Sequence, residues 1–552
     1  MNTKAICIHP RDNVMVALTD LPAGETIDVN GRSCTLTEPV PVKHKFAVTA
    51  LKEGDAVTMY GVLVGRVLHP IPKGGLLTVK NVKHASGGYG LGERKTDWQV
   101  PDVTKWKDRT FMGFHRADGS VGTANYWLLI PLVFCENRNV QVLAEAFVKE
   151  LGYALHLSPA QEQVRQLAGM YRAGKTVEDI LGAGSGGETT AAAVAEKVFP
   201  NVDGVKLLTH TLGCGGVRDD TRALCGLLAG YITHPNVAGA TVLSLGCQNA
   251  QISLLKEEID RRDRQFSKPL YILEQQAVGN ETVLLREAVK QTFAGLMQAN
   301  ECVRRPAPLD RLCLGLECGG SDGFSGISAN PALGYASDLL VALGGSVILS
   351  EFPELCGVEQ ELSDRCVDEA TAGRFMELMT RYQERARAVG SGFDSNPSAG
   401  NVRDGLITDA IKSAGAAKKG GTSPVTDVLD YPEKVRKKGL TLLCTPGSDI
   451  ESTTAEVGAG ASIVVFTTGL GTPTGNPVAP VLKVSSNTRL FEKMNDIIDI
   501  DAGAVIRGES TIEEVGEQIL ESIIKVAGGE AKAKATANGH DDFIPWKRGI
   551  SL

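Results

Sequence analysis

The chain has 552 residues and a mass of 58.5 kDa, several times a usual domain of ~100–150 residues, which predicts more than one core. With 43% apolar and 22% charged residues it excludes global disorder, and its longest apolar run, Tyr126 to Phe134, falls well short of the ~18 residues of a membrane helix. A net charge of −8, with no basic run longer than Arg436-Lys437-Lys438, argues against nucleic acid, because counterion release demands a basic face.

From Ala5 to about Lys83, short apolar stretches of period two alternate with turn residues: Val14 to Leu18, Glu25 to Val29, the Asn30-Gly31 turn, Phe46 to Val48, and Ala56 to Val64. This spacing predicts a small all-β module over residues 1–85. Residues 86–108, opening Ser86-Gly87-Gly88-Tyr89-Gly90, read as a linker. Beyond it, buried strand-like runs (Tyr126 to Phe134, Val205 to Leu208, Ala240 to Leu245, Leu270 to Leu273) alternate with amphipathic helical stretches. That rhythm predicts a parallel α/β sheet covered on both faces, over residues 109–305. A polar insert, Val303 to Leu309, precedes a second α/β section, 306–552. Its predicted parts are a strand at Leu312 to Leu316, a long helix near Ser363 to Val389, and strands at Leu440 to Leu443 and Ser462 to Phe466. The fold class is thus an α/β main body of two subdomains behind a small β domain.

Twelve cysteines include no CxxC pair, which weakens zinc-ribbon and thioredoxin readings. Four of them, Cys135, Cys214, Cys247 and Cys318, each close a strand-like run and open a polar turn. Ligands collect beyond the carboxyl ends of strands in open α/β sheets, so convergence of the four on one soft-metal or iron–sulfur site is one reading; small packing thiols are the other. Cys7, Cys34, Cys225, Cys302, Cys313, Cys356, Cys366 and Cys444 lack that setting and read as packing or surface thiols.

The stretch after Cys318, with Gly319, Gly320, Ser321, Asp322, Ser325 and Asn330, is suited to presenting backbone N–H groups to a carboxylate, and Thr467 and Thr468 add hydroxyls suited to a polyol. It matches neither nucleotide-binding glycine motif. His44 and His210 are the histidines nearest these features and are candidate proton carriers. Glu351, Glu354 and Glu359 crowd a strand end, where one carboxyl can be raised toward a base's range; Glu354 is taken as the catalytic candidate. Turn formation, solvated loops and ordinary structural histidines account for the same residues without catalysis.

Several of these segments carry a resemblance. Gly113 to Asn125, His210-Thr211-Leu212-Gly213-Cys214, Leu245 to Asn249, Leu316 to Asp322 through Asn330-Pro331, Asp499 to Gly503 and Trp546-Lys547-Arg548-Gly549 are similar to the altronate/galactarate dehydratase family, nearly end to end. A cytoplasmic location is expected because no secretory signal or membrane-spanning run is visible, and the resemblance implies an N-terminal β-clip module of the SAF type and an iron-dependent hydro-lyase. Such an enzyme converts a small anionic sugar acid to a 2-keto-3-deoxy acid. The implied cofactor is Fe2+ or an iron–sulfur cluster, with Mn2+ as an alternative, on some of the four cysteines; no nucleic acid or membrane partner is expected, and a homo-oligomer is. One departure stands out: the family's Gly-x-x-Val-His-x-His-Asn reads Gly74 to Asn81 here, with Thr78 and Lys80 in place of both histidines. Lys80 then becomes a candidate partner for a substrate carboxylate. That departure also leaves open a different hydroxy acid, such as galactarate, or a noncatalytic sugar-acid binder.

Overall fold

The computed structural model describes residues 4–29, 31–154, 159–184, 196–393 and 396–552; Asn30 of the expected turn lies outside them. The N-terminal module is built of small antiparallel sheets, Ala5–Ile6 with Val14–Ala17 and Lys45–Ala47, Thr26–Val29 with Arg32–Thr35, and Ala56–Met59 with Val62–Val67 and Val82–His84. The run expected from Ala56 to Val64 is two strands, not one. Tyr60 and Gly61 both have positive φ, the geometry of a tight hairpin, and reverse the chain between them.

The first α/β unit is a four-stranded parallel sheet in the order Gly204–Leu207, Tyr126–Pro131, Val237–Ser244, Leu270–Glu274. The second is a seven-stranded parallel sheet with Cys313–Cys318 at its centre, flanked on one side by Ser346–Leu349, Gly439–Leu443 and Val425–Leu429 and on the other by Ile463–Thr468, Val481–Ser485 and Ile500–Asp501. Apart from half-buried Cys313, the residues of its central strands are buried, as continuous apolar strands between helical layers must be. The expected long helix is two, Glu359–Asp364 and Glu369–Ala388.

Two connecting segments depart from their sequence reading. The polar insert contains a strand, Arg304–Pro308, paired antiparallel along its length with Thr110–His115, so the chain entering the first α/β unit is sewn to the chain leaving it. Residues 86–108 lack regular structure but are docked rather than slack: Gly90 exchanges hydrogen bonds with the Gln360 side chain (2.9 and 3.2 Å), and Trp106 is 1% exposed with its Nε1 donating to Glu521 at 2.8 Å. The N-terminal module is joined to the second α/β unit in one hydrophobic core. Buried Lys45 donates to Gly405 O at 2.7 Å, and Lys43 bridges Asp322 and Asp404 at 3.0 Å each. Among the described residues no helix is long and apolar enough to cross a membrane.

Candidate active site

The central strand of the larger sheet delivers Cys318 to a cavity of about 560 Å³, within the usual range of ligand pockets, ~300–1,000 Å³. Gly319, Gly320, Glu354, Tyr382, Asn396, Asn401, Lys412, Ser448 and Asp449 are among the residues around it. Gly319 is required by close approach: a Cβ there would stand 2.1 Å from an Asp449 carboxylate oxygen. Glu351, in the next strand's exit turn, has φ of 62°, a left-handed conformation uncommon for glutamate that costs on the order of 1–3 kcal/mol and collects at functional sites.

Behind the cavity wall is an unusual density of buried charge. The Lys419 ammonium, 1% exposed, contacts Glu351 and lies 2.9 Å from Cys318 Sγ; Lys412 pairs with Glu354 at 2.5 Å. Cys318 Sγ lies 3.4 Å from Glu354 and 3.7 Å from Glu351. Glu317 and Glu456 lie behind them, both joined to Ser350 Oγ, at 3.3 and 2.8 Å. Two lysines cannot neutralise Glu317, Glu351, Glu354, Glu456 and Asp449 in a dry site, so some carboxyls keep their protons. Burial, reinforced by neighbouring carboxylates, pushes Glu317 well above the ordinary range and Glu456 up to about 8. Burial and the Glu354 charge push Asp449 to about 6. Burial likewise raises Glu354, but the pull of Lys412 and Lys419 outweighs it, and that carboxyl ends below its usual value. The site thus presents an ionised carboxylate beside two ammonium groups, with a store of protons one layer deeper.

The other expected ligand-binding residues mostly build the walls. Asp322, fully buried, accepts from the backbone N–H groups of Phe324 and Ser325, from Ser486 Oγ at 2.8 Å and from Asn487 Nδ2 at 3.2 Å, and it pairs with Lys43. Ser325 Oγ returns a bond to Asp322 at 2.9 Å, Ser321 O accepts from Asn401, Thr467 Oγ1 donates to Asn330 Oδ1 at 2.6 Å, and Thr468 Oγ1 accepts from Gly471 N–H. These bonds hold the glycine loop in place, and Ser321, Asp322, Ser325, Asn330, Thr467 and Thr468 are not around the cavity.

Cys135, Cys214 and Cys247 lie elsewhere, at the carboxyl ends of three adjacent strands of the four-stranded sheet, and all three are exposed. Their loops are tied together: Phe134 N–H donates to Leu212 O (3.0 Å), Ala250 N–H to Gly213 O (3.0 Å) and Asn249 Nδ2 to Cys214 O (2.5 Å). Gly213, with φ of 98°, is pressed so closely on Leu132 O that a Cβ would stand 2.5 Å from it. Burial, then the neighbouring Cys214 and Cys247 thiols, push the Cys135 thiol up, and Gln276 Nε2 lies 3.2 Å from Cys247 Sγ. The structure therefore divides the four expected cysteines into an exposed group of three and a buried one: Cys318 is on a different sheet with carboxylates and Lys419 as its neighbours.

The remaining candidates are away from the cavity wall. His210 is buried and held on both ring nitrogens, Nε2 2.7 Å from Pro131 O and Nδ1 accepting from Leu212 N–H at 3.1 Å, which fastens the Cys214 loop to the neighbouring strand. Its desolvation lowers its pKa to about 4. His44 is half-buried with Nδ1 3.1 Å from Val42 O, and Lys80 is exposed at a turn closed by its own N–H to Thr78 Oγ1. Sequence reasoning missed Lys412, Lys419 and Glu456, and took the Thr445 to Asp449 segment only as a source of hydroxyl donors for a polyol. None of these stands in a recognised motif, although three lysines in an otherwise small-residue Ile411 to Gly420 stretch were a signal.

Comparison with known proteins matches these units one by one. Residues 3–85 match the altronate/galactarate dehydratase SAF domain, 113–300 the D-galactarate dehydratase/altronate hydrolase second domain, and 309–551 the D-galactarate/altronate dehydratase C-terminal domain. The chain is 33% identical over 550 residues to the altronate dehydratase of Bacillus subtilis (strain 168), covering 99% of each chain. It is 33% identical over 551 residues to that of Escherichia coli (strain K12), again 99% of each. It is 30% identical over 540 residues to the galactarate dehydratase (L-threo-forming) of the latter organism, 96% of this chain and 93% of that one. With its three units matched in order and its relatives covered end to end, the chain is an enzyme of the altronate/galactarate dehydratase family.

Proposed function

We propose that the protein is a hydro-lyase that dehydrates an altronate-like aldonate to a 2-keto-3-deoxy acid in the Cys318 cavity. The observation that carries this reading is the Glu354–Lys412 pair facing the cavity beside Asp449, a base and a cation where a carboxylate substrate would bind. Lys412 holds the substrate carboxylate. Glu354 or Asp449 takes the C2 proton, and the two lysines stabilise the enediolate that forms. The C3 hydroxyl leaves as water after protonation from the buried carboxyl layer, and the enol so formed tautomerises to the 2-keto acid by gaining a proton at C3.

The iron implied by the family resemblance fits the three exposed thiols better than the Cys318 group. At Cys318 and Glu351 a lysine ammonium already supplies the positive charge. Cys135, Cys214 and Cys247 would hold iron or an iron–sulfur cluster through soft donors on hydrogen-bonded loops. When bound there, such a centre would supply Lewis acidity at the strand ends of the four-stranded sheet, apart from the proton transfers at Glu354.

Incubating the protein with altronate and galactarate in D2O tests the reading. The expected result is a 2-keto-3-deoxy acid carrying deuterium at C3, formed faster from altronate. Tight aldonate binding without product would instead support a binder, and turnover of galactarate alone would reassign the substrate. Iron and acid-labile sulfide should disappear in C135S/C214S/C247S and persist in C318S; the reverse pattern would move the metal to the cavity.

A further inference from the structure

A second group of metal-type donors lies at the junction between the N-terminal module and the body. His84 ends the module's last strand, Val82–His84; Cys356 follows the short turn Phe352–Leu355; Asp409 opens the helix Asp409–Ala416. One donor atom of each, an imidazole nitrogen, a thiol sulfur and a carboxylate oxygen, lies within 4.8 Å of the other two. Cys356 and Asp409 are buried, at 7% and 1% exposure, and His84 is half-buried. The sequence context of Cys356 reads only as that of a packing or surface thiol.

We propose that His84, Cys356 and Asp409 form a divalent-cation site of the zinc type that clamps the N-terminal module to the catalytic body. An independent feature points to a ligand: Asp409 Oδ2 is sealed from solvent with no hydrogen-bond partner, whereas its Oδ1 is reached by Ser413 Oγ at 3.5 Å. A cation can satisfy a buried carboxylate oxygen that lacks an N–H or O–H donor, taking over from the Cys356 thiol that otherwise faces Asp409. The donor set, one nitrogen, one sulfur and one oxygen, suits zinc or ferrous ion and not magnesium or calcium. Tetrahedral bonds of about 2.0–2.3 Å space such donors by about 3.3–3.7 Å, so the trio need contract by only about 1 Å. Ala410 N–H approaches His84 Nδ1 at 3.3 Å, a long contact that an ion bound at that nitrogen would displace. The three donors belong to three segments far apart in sequence, and a shared ion would join them across the junction that Thr408 Oγ1 already spans by donating to Val64 O at 2.8 Å. The site shares no donor with the thiols Cys135, Cys214 and Cys247, and through Cys356 and Asp409 it adjoins Glu354 and Lys412 of the cavity.

Cobalt tests it on the full chain. In a C135S/C214S/C247S background, reduced and metal-free, Co2+ is expected to give tetrahedral visible bands and a near-ultraviolet thiolate-to-cobalt band, both bleached by Zn2+. Cys356→Ser should abolish the thiolate band, and Asp409→Asn, which keeps the side-chain shape and with it the fold, should shift the visible bands and weaken Co2+ binding by at least ~10-fold, the scale of even outer-shell changes. Zn2+ should raise the melting temperature of the parent and not of either variant. A thiolate band that survives Cys356→Ser, or a Zn2+ stabilisation unchanged in Asp409→Asn, would overturn the proposal.

Discussion

The two α/β units end their strands in opposite ways. At the four-stranded sheet, Cys135, Cys214 and Cys247 stand exposed on loops pinned by backbone hydrogen bonds and by a buried neutral His210. At the seven-stranded sheet, Cys318 is 1% exposed among carboxylates and two lysines. The same local pattern, an apolar strand closing on cysteine, thus yields three exposed thiols and one thiol buried among carboxylates and lysines. What separates them is the chain that crosses above. The segment from Asp409 to Gly420 brings Lys412 and Lys419 to Cys318 alone. The C-terminal tail touches both regions, Trp546 lying 5.3 Å from the Tyr382 ring beside the cavity and the Leu552 carbonyl close against Gly215, next to Cys214.

The sharpest way to break this contrast is Lys419→Met. Removing one partner of a buried ion pair leaves uncompensated charge on Glu351, and a loss of about 3–5 kcal/mol in urea-induced unfolding is expected, together with loss of dehydration. An effect below about 1 kcal/mol would show that Glu351 simply takes up a proton and that the charge pair is not structural.

Acid and alkali should weaken the two regions separately. His210 has a folded pKa of about 4 against an ordinary 6.5, so between those values the unfolded state binds the extra proton. Its contribution, up to about 3 kcal/mol, is complete above pH 6.5 and is lost as pH falls to 4. Glu456 behaves in the opposite sense: raised to about 8 by burial, it stays protonated in the fold while the unfolded chain releases its proton from about pH 4.5. Stability therefore declines as pH rises through that window. His210→Gln should flatten the acid limb of a stability–pH curve and Glu456→Gln the alkaline limb; interchange of those effects would contradict the assignment.

A smaller effect is expected from Lys412→Met, which leaves Lys419 in place: kcat/KM should fall about 100-fold, the scale of one lost transition-state donor. A change confined to KM would make Lys412 a binding group only. The smallest effect belongs to Lys80→Ala. With Lys80 exposed at a turn, stability should change by less than about 0.5 kcal/mol and turnover should be unchanged. A large loss of turnover would return Lys80 to the substrate, as its place in the family motif suggested.

Much of the architecture was legible in the residues. Period-two stretches marked the N-terminal module, and continuous apolar runs such as Leu128-Leu129-Ile130 and Val464-Val465-Phe466 marked buried parallel strands, because a strand covered on both faces admits no polar alternation. Boundaries failed where pairing is distant. Arg304–Pro308 looks like a polar insert and is a strand only because Thr110–His115 supplies its hydrogen bonds. In the site, Cys318, Gly319, Gly320 and Glu354 announced themselves by strand-end position, and the structure puts all four around the cavity. Asp322, Asn330 and Thr467 carry the same polar signature but spend their hydrogen bonds on the wall.

The amino-acid sequence by itself determined the unit order, the parallel sheets and the family, since these follow from local periodicity and from motifs read along the chain. Tertiary structure alone decided that the four cysteines divide three to one, that Lys412 and Lys419 meet Glu354 and Glu351, and that His84 meets Cys356 and Asp409. The physical reason is that charge pairing and metal-type donor sets depend on distances of 3 to 5 Å between side chains up to several hundred residues apart, and sequence spacing carries no record of such distances.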